Sequence, residues 1–326
     1  MLPQIYPGNY QASIKDFFNR GGFVTGLNPT MIGNIWYANG EGATYTGSNG
    51  HVGRSPRDGF ATITYALAKM SSYDILVIDG VFREQAVTPQ DVFDGMIIGA
   101  GNQPRQATDG GVATGGGASW LSPSSPTAMT PLLKVRESGW TFANFQMAPV
   151  AASACVRLSR AETASDMDGG HAQFLGMYMV GGGANGIGIE DVGGCGYVTI
   201  LNSRFQALGD TAIKGISTGI AVPLSWKIGE VGAGNRFQQN LNDIKMSLSY
   251  GIIKGNELLT AGSGSTNKVI STTFVSTQGG NNQVHLNFFN NTEAQIAPSS
   301  GYTGASSDFW MNYVNDQADL AFGQPA

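Results

Sequence analysis

The sequence predicts an all-β solenoid, a stack of short strands wound into one long coil, and three observations carry that expectation. Short apolar runs return with an Asn or Gly inside them, at Asn144, Gly176, Asn202, Asn235, Asn256 and Asn287, steps of 32, 26, 33, 21 and 31 residues. A weaker series lies between them, at Ile187, Ile213, Ile244 and Val269. Self-similarity at 20 to 50 residues is the mark of a repeat architecture, and β-rich units separated by Gly and Asn mean strands and turns. Gly makes up 47 of the 326 residues, about twice its usual share.

Composition narrows the class. Hydrophobic residues are 41%, enough for a core, while charged residues are only 13% against about 25% in ordinary soluble proteins. The net charge is −5 with 18 Lys and Arg and no basic stripe, so a nucleic-acid partner is not expected. The apolar runs fall far short of the roughly 18 residues that span a bilayer, so no membrane is expected. Cys155 and Cys195 are the only cysteines, too few for a disulfide framework. They read as small buried side chains, with a bridge between them left open. Residues 1–7 lack a basic stretch followed by an apolar one, so no signal peptide is expected.

Along the chain, residues 1–34 read as an N-terminal arm. Ser13 suits the cap of a helix over Ile14–Arg20, stopped by Gly21-Gly22. That helix is too short to stand alone, so Phe17, Phe18 and Phe23 need a surface. They either cover the first turn of the coil or touch a partner. Ile35–Ala38 reads as a strand, 40–57 as a loop, and Phe60, Ile63, Leu67 and Met70 share helical spacing. Asp74–Gly80 and Met96–Gly101 are continuous apolar runs, as in parallel strands buried on both faces. Residues 101–130 form a long Gly/Ser/Pro loop, a candidate partner contact. Coils then run to about 298, and 299–326 is an aromatic tail whose Phe309, Trp310 and Tyr313 either cap the stack or contact a partner.

One block is more specific. Ser55-Pro56-Arg57-Asp58-Gly59-Phe60-Ala61-Thr62-Ile63 leads through an Ala-containing helix to Asp74–Gly80 and Val81-Phe82-Arg83-Glu84. It resembles the opening of right-handed parallel β-helices in the pectin-lyase-like superfamily, where an aromatic-Ala-Thr-Ile helix precedes a strand and a Gly-x-aromatic-Arg-Glu turn. The resemblance implies a right-handed parallel β-helix over about 35–298 and carries no catalytic residue. In such a coil Asn202, Asn235, Asn256 and Asn287 stack as an amide ladder.

Chemistry is sparse. Glu162, Asp166, Asp168 and His171 crowd a Gly-flanked loop, and Asp166 with Asp168 is the alternative metal pair, since hard cations take carboxylates. No calcium-loop motif accompanies them, and a solvated acidic loop is the preferred reading. Glu190 and Asp191, with Asp210 and Glu230 on nearby turns, are the alternative catalytic set for a glycosidase, which needs two carboxylates about 5–9.5 Å apart. Adjacent strand residues face opposite ways, so Glu190 and Asp191 cannot pair by themselves. His51 and His285 carry no motif, no cofactor is expected, and no catalytic set is legible.

The block and the low charge, with the expectation of no export signal, together resemble β-helical proteins of tailed-bacteriophage virions. That resemblance implies a capsid decoration (cement) protein acting by adhesion, located in the virion after assembly in the host cytoplasm. Its expected partners are the major capsid protein or other virion proteins and two more copies of itself in a homotrimer. The alternative is a tailspike or tail fibre that binds or cleaves host surface polysaccharide.

Overall fold

The computed structural model describes residues 33–101, 117–127, 129–149, 153–160, 168–181, 185–215, 223–246, 248–259, 270–272, 282–289, 308–310 and 313–314. Every paired strand in them is parallel to its neighbours. Sequential turns of the chain lie one on another as a parallel β-helix with three sheet faces.

The long strand Ile75–Arg83 shows how the faces are divided. Its first half pairs with Ile35–Asn39 and Met96–Gly99 in the first sheet. Its second half pairs with Ala118–Leu121 in the second. Gly80 makes the corner inside this strand at φ 86, where a side chain would collide with the Glu41 carbonyl. Together the two faces form an 18-stranded sheet, and a 7-stranded third sheet closes the coil.

Alternation puts one column of each face inside. The first sheet stacks Trp36, Leu76, Ile97, Phe142, Phe174, Ile200, Ile228, Ile253 and Val284 in register. The second stacks Phe82, Trp120, Met147, Met179, Phe205, Phe237 and Leu258. All are buried, and each contributes about 1.5–3 kcal/mol by leaving water. Phe142 stacks on Phe174 at 5.2 Å and Phe205 on Phe237 at 5.0 Å. The buried indoles of Trp120, Trp140 and Trp226 each donate to a backbone carbonyl, so their burial strands no polar group.

The opening block has a physical job. Ile63–Leu67 is a short α-helix beside the first turn. The Glu84 carboxylate accepts from the backbone N–H of Ile63 and Thr64 at 2.7 and 2.9 Å and from the Thr64 hydroxyl. The acid at the end of the block thus caps the helix at its start, satisfying orphan amides at the positive end of its dipole.

The amide ladder forms with three of its four expected members, Asn235, Asn256 and Asn287. Asn235 Nδ2 donates to Asn256 Oδ1 at 3.0 Å, and Asn256 Nδ2 to Asn287 Oδ1 at 2.9 Å. Above them the place is held by Ser203, whose N–H donates to Asn235 Oδ1, and not by Asn202. Asn202 is exposed at φ 51, in the left-handed column of Asn144, Gly176, Gly255 and Leu286. The recurring Asn/Gly therefore marks two adjacent columns, one left-handed and one buried. The weaker series is also re-phased: Ile189, not Ile187, stands in register with Ile213 and Ile244, followed by Ile270 rather than Val269.

Two segments read as loop or tail contain strands. Ala118–Leu121 lies within 101–130. Asp308–Trp310 and Tyr313–Val314 add a further turn to the first and second sheets. The arm with Phe17, Phe18 and Phe23 lies outside the described residues, as does the helix expected at Ile14–Arg20.

Candidate functional site

The alternative catalytic acids sit on three different parts of the coil. Glu190 and Asp191 belong to the third-sheet strand Ile187–Asp191 and face opposite ways. Glu190 faces out, in a column with Lys134, Arg157, Lys214 and Lys245. It accepts from Arg157 Nε at 2.8 Å, and both side chains are mostly covered. Asp191 faces in. Its register neighbours are Leu158 and Gly215, so a carboxylate occupies a place in the apolar column.

Gly193, Gly194 and Cys195 each donate a backbone N–H to Asp191 Oδ1, all at 3.1 Å. Burial nevertheless raises its pKa above the ordinary carboxylate range, and those three amides offset only part of the rise. The Cys195 thiol beside the carboxylate also works to lower the pKa, and Oδ2 is buried. This geometry organises the turn that follows the strand.

Asp210 stands just before the strand Thr211–Gly215. It accepts from Lys214 Nζ at 2.9 Å and from the Thr211 hydroxyl at 2.8 Å. Glu230 lies elsewhere, in the corner between the first and second sheets. Lys254 and Lys227 hold it at 2.8 and 2.9 Å, and their hydrogen bonds lower its pKa to about 2. His285, in the same corner region, is held below its ordinary value by burial and then by Lys254. The four acids are not brought to one groove, and each is held by cations or amides of its own surroundings.

Of the metal pair, Asp166 lies outside the described residues. Asp168 accepts from the Gly170 N–H at 2.8 Å, with Arg160 Nε 3.8 Å away. His171 stacks on Tyr197 at 4.8 Å. Among the described residues no group of three His, Cys, Asp or Glu side chains is placed to hold a metal ion. Both cysteines are free thiols with pKa values raised by burial. No helix among the described residues is long and apolar enough to cross a membrane.

A feature that sequence reasoning passed over lies on the outside of the second sheet. Tyr178, Arg204, Arg236, Glu257 and Phe288 form one outward column. Its signal was present in the chain, as the triplet Arg-Phe-Gln repeated at 204–206 and 236–238.

No protein-family model matches the chain, and no curated protein matches it. Among solved structures, the pectate lyase Pel9A is similar over 92% of this chain and 80% of that one, with 12% sequence identity and a TM-score of 0.47. The β-helix itself follows from the strand registers above.

Proposed function

We propose that this chain is a structural β-helix of a tailed-bacteriophage virion, a capsid decoration protein that works by adhesion. One observation carries the reading. The acids a hydrolase would need are engaged in the coil's own bonding: Asp191 with three amides, Glu190 with Arg157, Asp210 with Lys214, and Glu230 with two lysines. A coil so closed on itself acts through its outer faces and ends. The partner is a capsid surface, and self-association as a trimer is part of the proposal. Adhesion of this kind needs well over about 1,000 Å² of buried surface.

Undecorated phage capsids and host surface polysaccharide, mixed separately with the purified protein, test it. Saturable, stoichiometric capsid binding without sugar cleavage is the expected result. Release of short oligosaccharides would replace this reading with that of a tailspike enzyme. Sedimentation at several protein concentrations tests the trimer.

A further inference from the structure

Two identical triplets, Arg204-Phe205-Gln206 and Arg236-Phe237-Gln238, occupy adjacent turns of the second sheet. The two-residue period sends each Phe inward and leaves Arg and Gln outside. Register sets Arg204 against Arg236 and Gln206 against Gln238. The two arginines therefore stand on neighbouring strands about 4.8 Å apart at the backbone. Like charges placed directly opposite destabilise a sheet, so the coil gains nothing from this pairing by itself.

The surroundings compensate only one of them. Arg236 Nε lies 3.5 Å from Glu257, in a pair whose side chains are 51% and 57% exposed, so water screens it strongly. Arg204 has no carboxylate partner among the described residues. Its Nη2 donates to Gln238 Oε1 at 3.1 Å, its guanidinium lies 5.3 Å from the centre of the Tyr178 ring, and its buried Nε has no hydrogen-bond partner. Tyr178 in turn donates its hydroxyl to Gln206 Oε1 at 3.0 Å. Arg204 is thus positioned in advance, and binding an anion would cost little further side-chain order.

We propose that Arg204 and Arg236 form a carboxylate-binding site on the outer face of the second sheet, and that its occupant is an acidic side chain of the protein surface to which the coil adheres. The identity of that partner rests on the adhesive reading above. Charge decides among anions. The chain carries −5 overall, which opposes a highly charged polyanion such as nucleic acid, whereas a single carboxylate meets the local column, where two arginines and one glutamate leave a positive excess. Planar guanidinium forks suit a carboxylate, and Arg and Tyr are the residues that anchor protein interfaces.

The test has two arms. In the first, a blocked pentapeptide carrying two glutamates is titrated into the full chain while the arginine Nε–H signals are followed by NMR. We expect saturable shifts at Arg204 and Arg236. The double variant R204Q/R236Q should bind about ten- to a hundredfold more weakly, with unchanged circular dichroism and melting temperature. R204K should weaken binding too, since it keeps the charge and loses the fork, whereas K245Q on the third sheet should bind as wild type. Absence of shifts, or equal displacement by inorganic sulfate, would overturn the carboxylate site. In the second arm, capsid binding is compared for wild type and R204Q/R236Q. Equal binding would overturn the site as the contact. Peptide binding with no capsid binding by the wild type would instead remove the adhesive reading and leave the site standing.

Discussion

Replacing Asn256 by Ala tests the ladder where it is most closed. The side chain is 1% exposed. Its Oδ1 accepts from Asn235 N at 2.9 Å and Asn235 Nδ2 at 3.0 Å. Its Nδ2 donates to Ile228 O at 2.8 Å and Asn287 Oδ1 at 2.9 Å. Truncation removes all four bonds, while the backbone bond from Asn256 N to Asn287 Oδ1 stays. Two N–H groups of Asn235 are left buried and unanswered. At about 1–3 kcal/mol for each stranded group, the expected loss is about 4 kcal/mol. For a chain of this size that lowers the melting temperature by about 6 °C.

Thermal and urea melts followed by circular dichroism read this directly, with Asn202→Gly as the control. Asn202 is exposed and left-handed, a conformation that Gly adopts freely, so that variant should melt within about 1 °C of the wild type. Asn256→Asp adds a sign. Its second oxygen would face two acceptors, the Ile228 carbonyl and Asn287 Oδ1, so the folded state favours the protonated acid. Its folded pKa then lies above the unfolded value of about 3.9. Stability present below that pH is lost as pH rises through the folded value. A loss below about 1 kcal/mol for Asn256→Ala, or a similar loss for Asn202→Gly, would refute the ladder as a source of stability.

Three further outcomes are expected. Asp191→Ala should cost about 3 kcal/mol or more by stranding three amides, while Asp191→Asn keeps an acceptor for them and should lose far less at pH 7; equal losses in urea melts would contradict this. The wild type should carry two opposed pH slopes. Glu230, held at about 2, contributes stability above about pH 4.3 that is lost as pH falls toward 2, and Asp191, shifted upward, contributes stability that is lost as pH rises through its folded value. Glu230→Gln and Asp191→Asn should each flatten their own limb of a melting-temperature profile. Cys155 and Cys195, buried thiols with raised pKa values, should resist iodoacetamide in the native protein and react on unfolding; rapid native labelling would refute their burial.

The coil was legible in the sequence because a rung repeats a physical requirement: an apolar residue inside, then a turn residue. Phe142, Phe174 and Ile200 announce their column without help. Phase was harder to read. Asn is favoured both where backbone turns left-handed and where a buried amide bonds along the axis, so Asn202 and Asn235 look alike in the chain and differ in role. Asp191 misled for a related reason. A strand-end acid looks like a surface group, and only the register, which sets it beside Leu158, shows that it points inward. The outward arginines went unread because Arg-Phe-Gln has meaning only when two copies fall on adjacent turns. Sequence spacing alone did not fix that, since the turn lengths vary.

The corner holding Glu230 shows what that variability permits. Between Leu201 and Ser203 the first and second sheets are joined by Asn202 alone, whereas the next turn spends Glu230 to Gly234 on the same step, and Asn235 still takes its rung beside Ser203. Doubling a loop costs only about 0.6 kcal/mol in closure entropy. The protein therefore keeps time by rungs and not by residues. Its corners are where inserted foreign peptide is expected to leave the scaffold's shape intact.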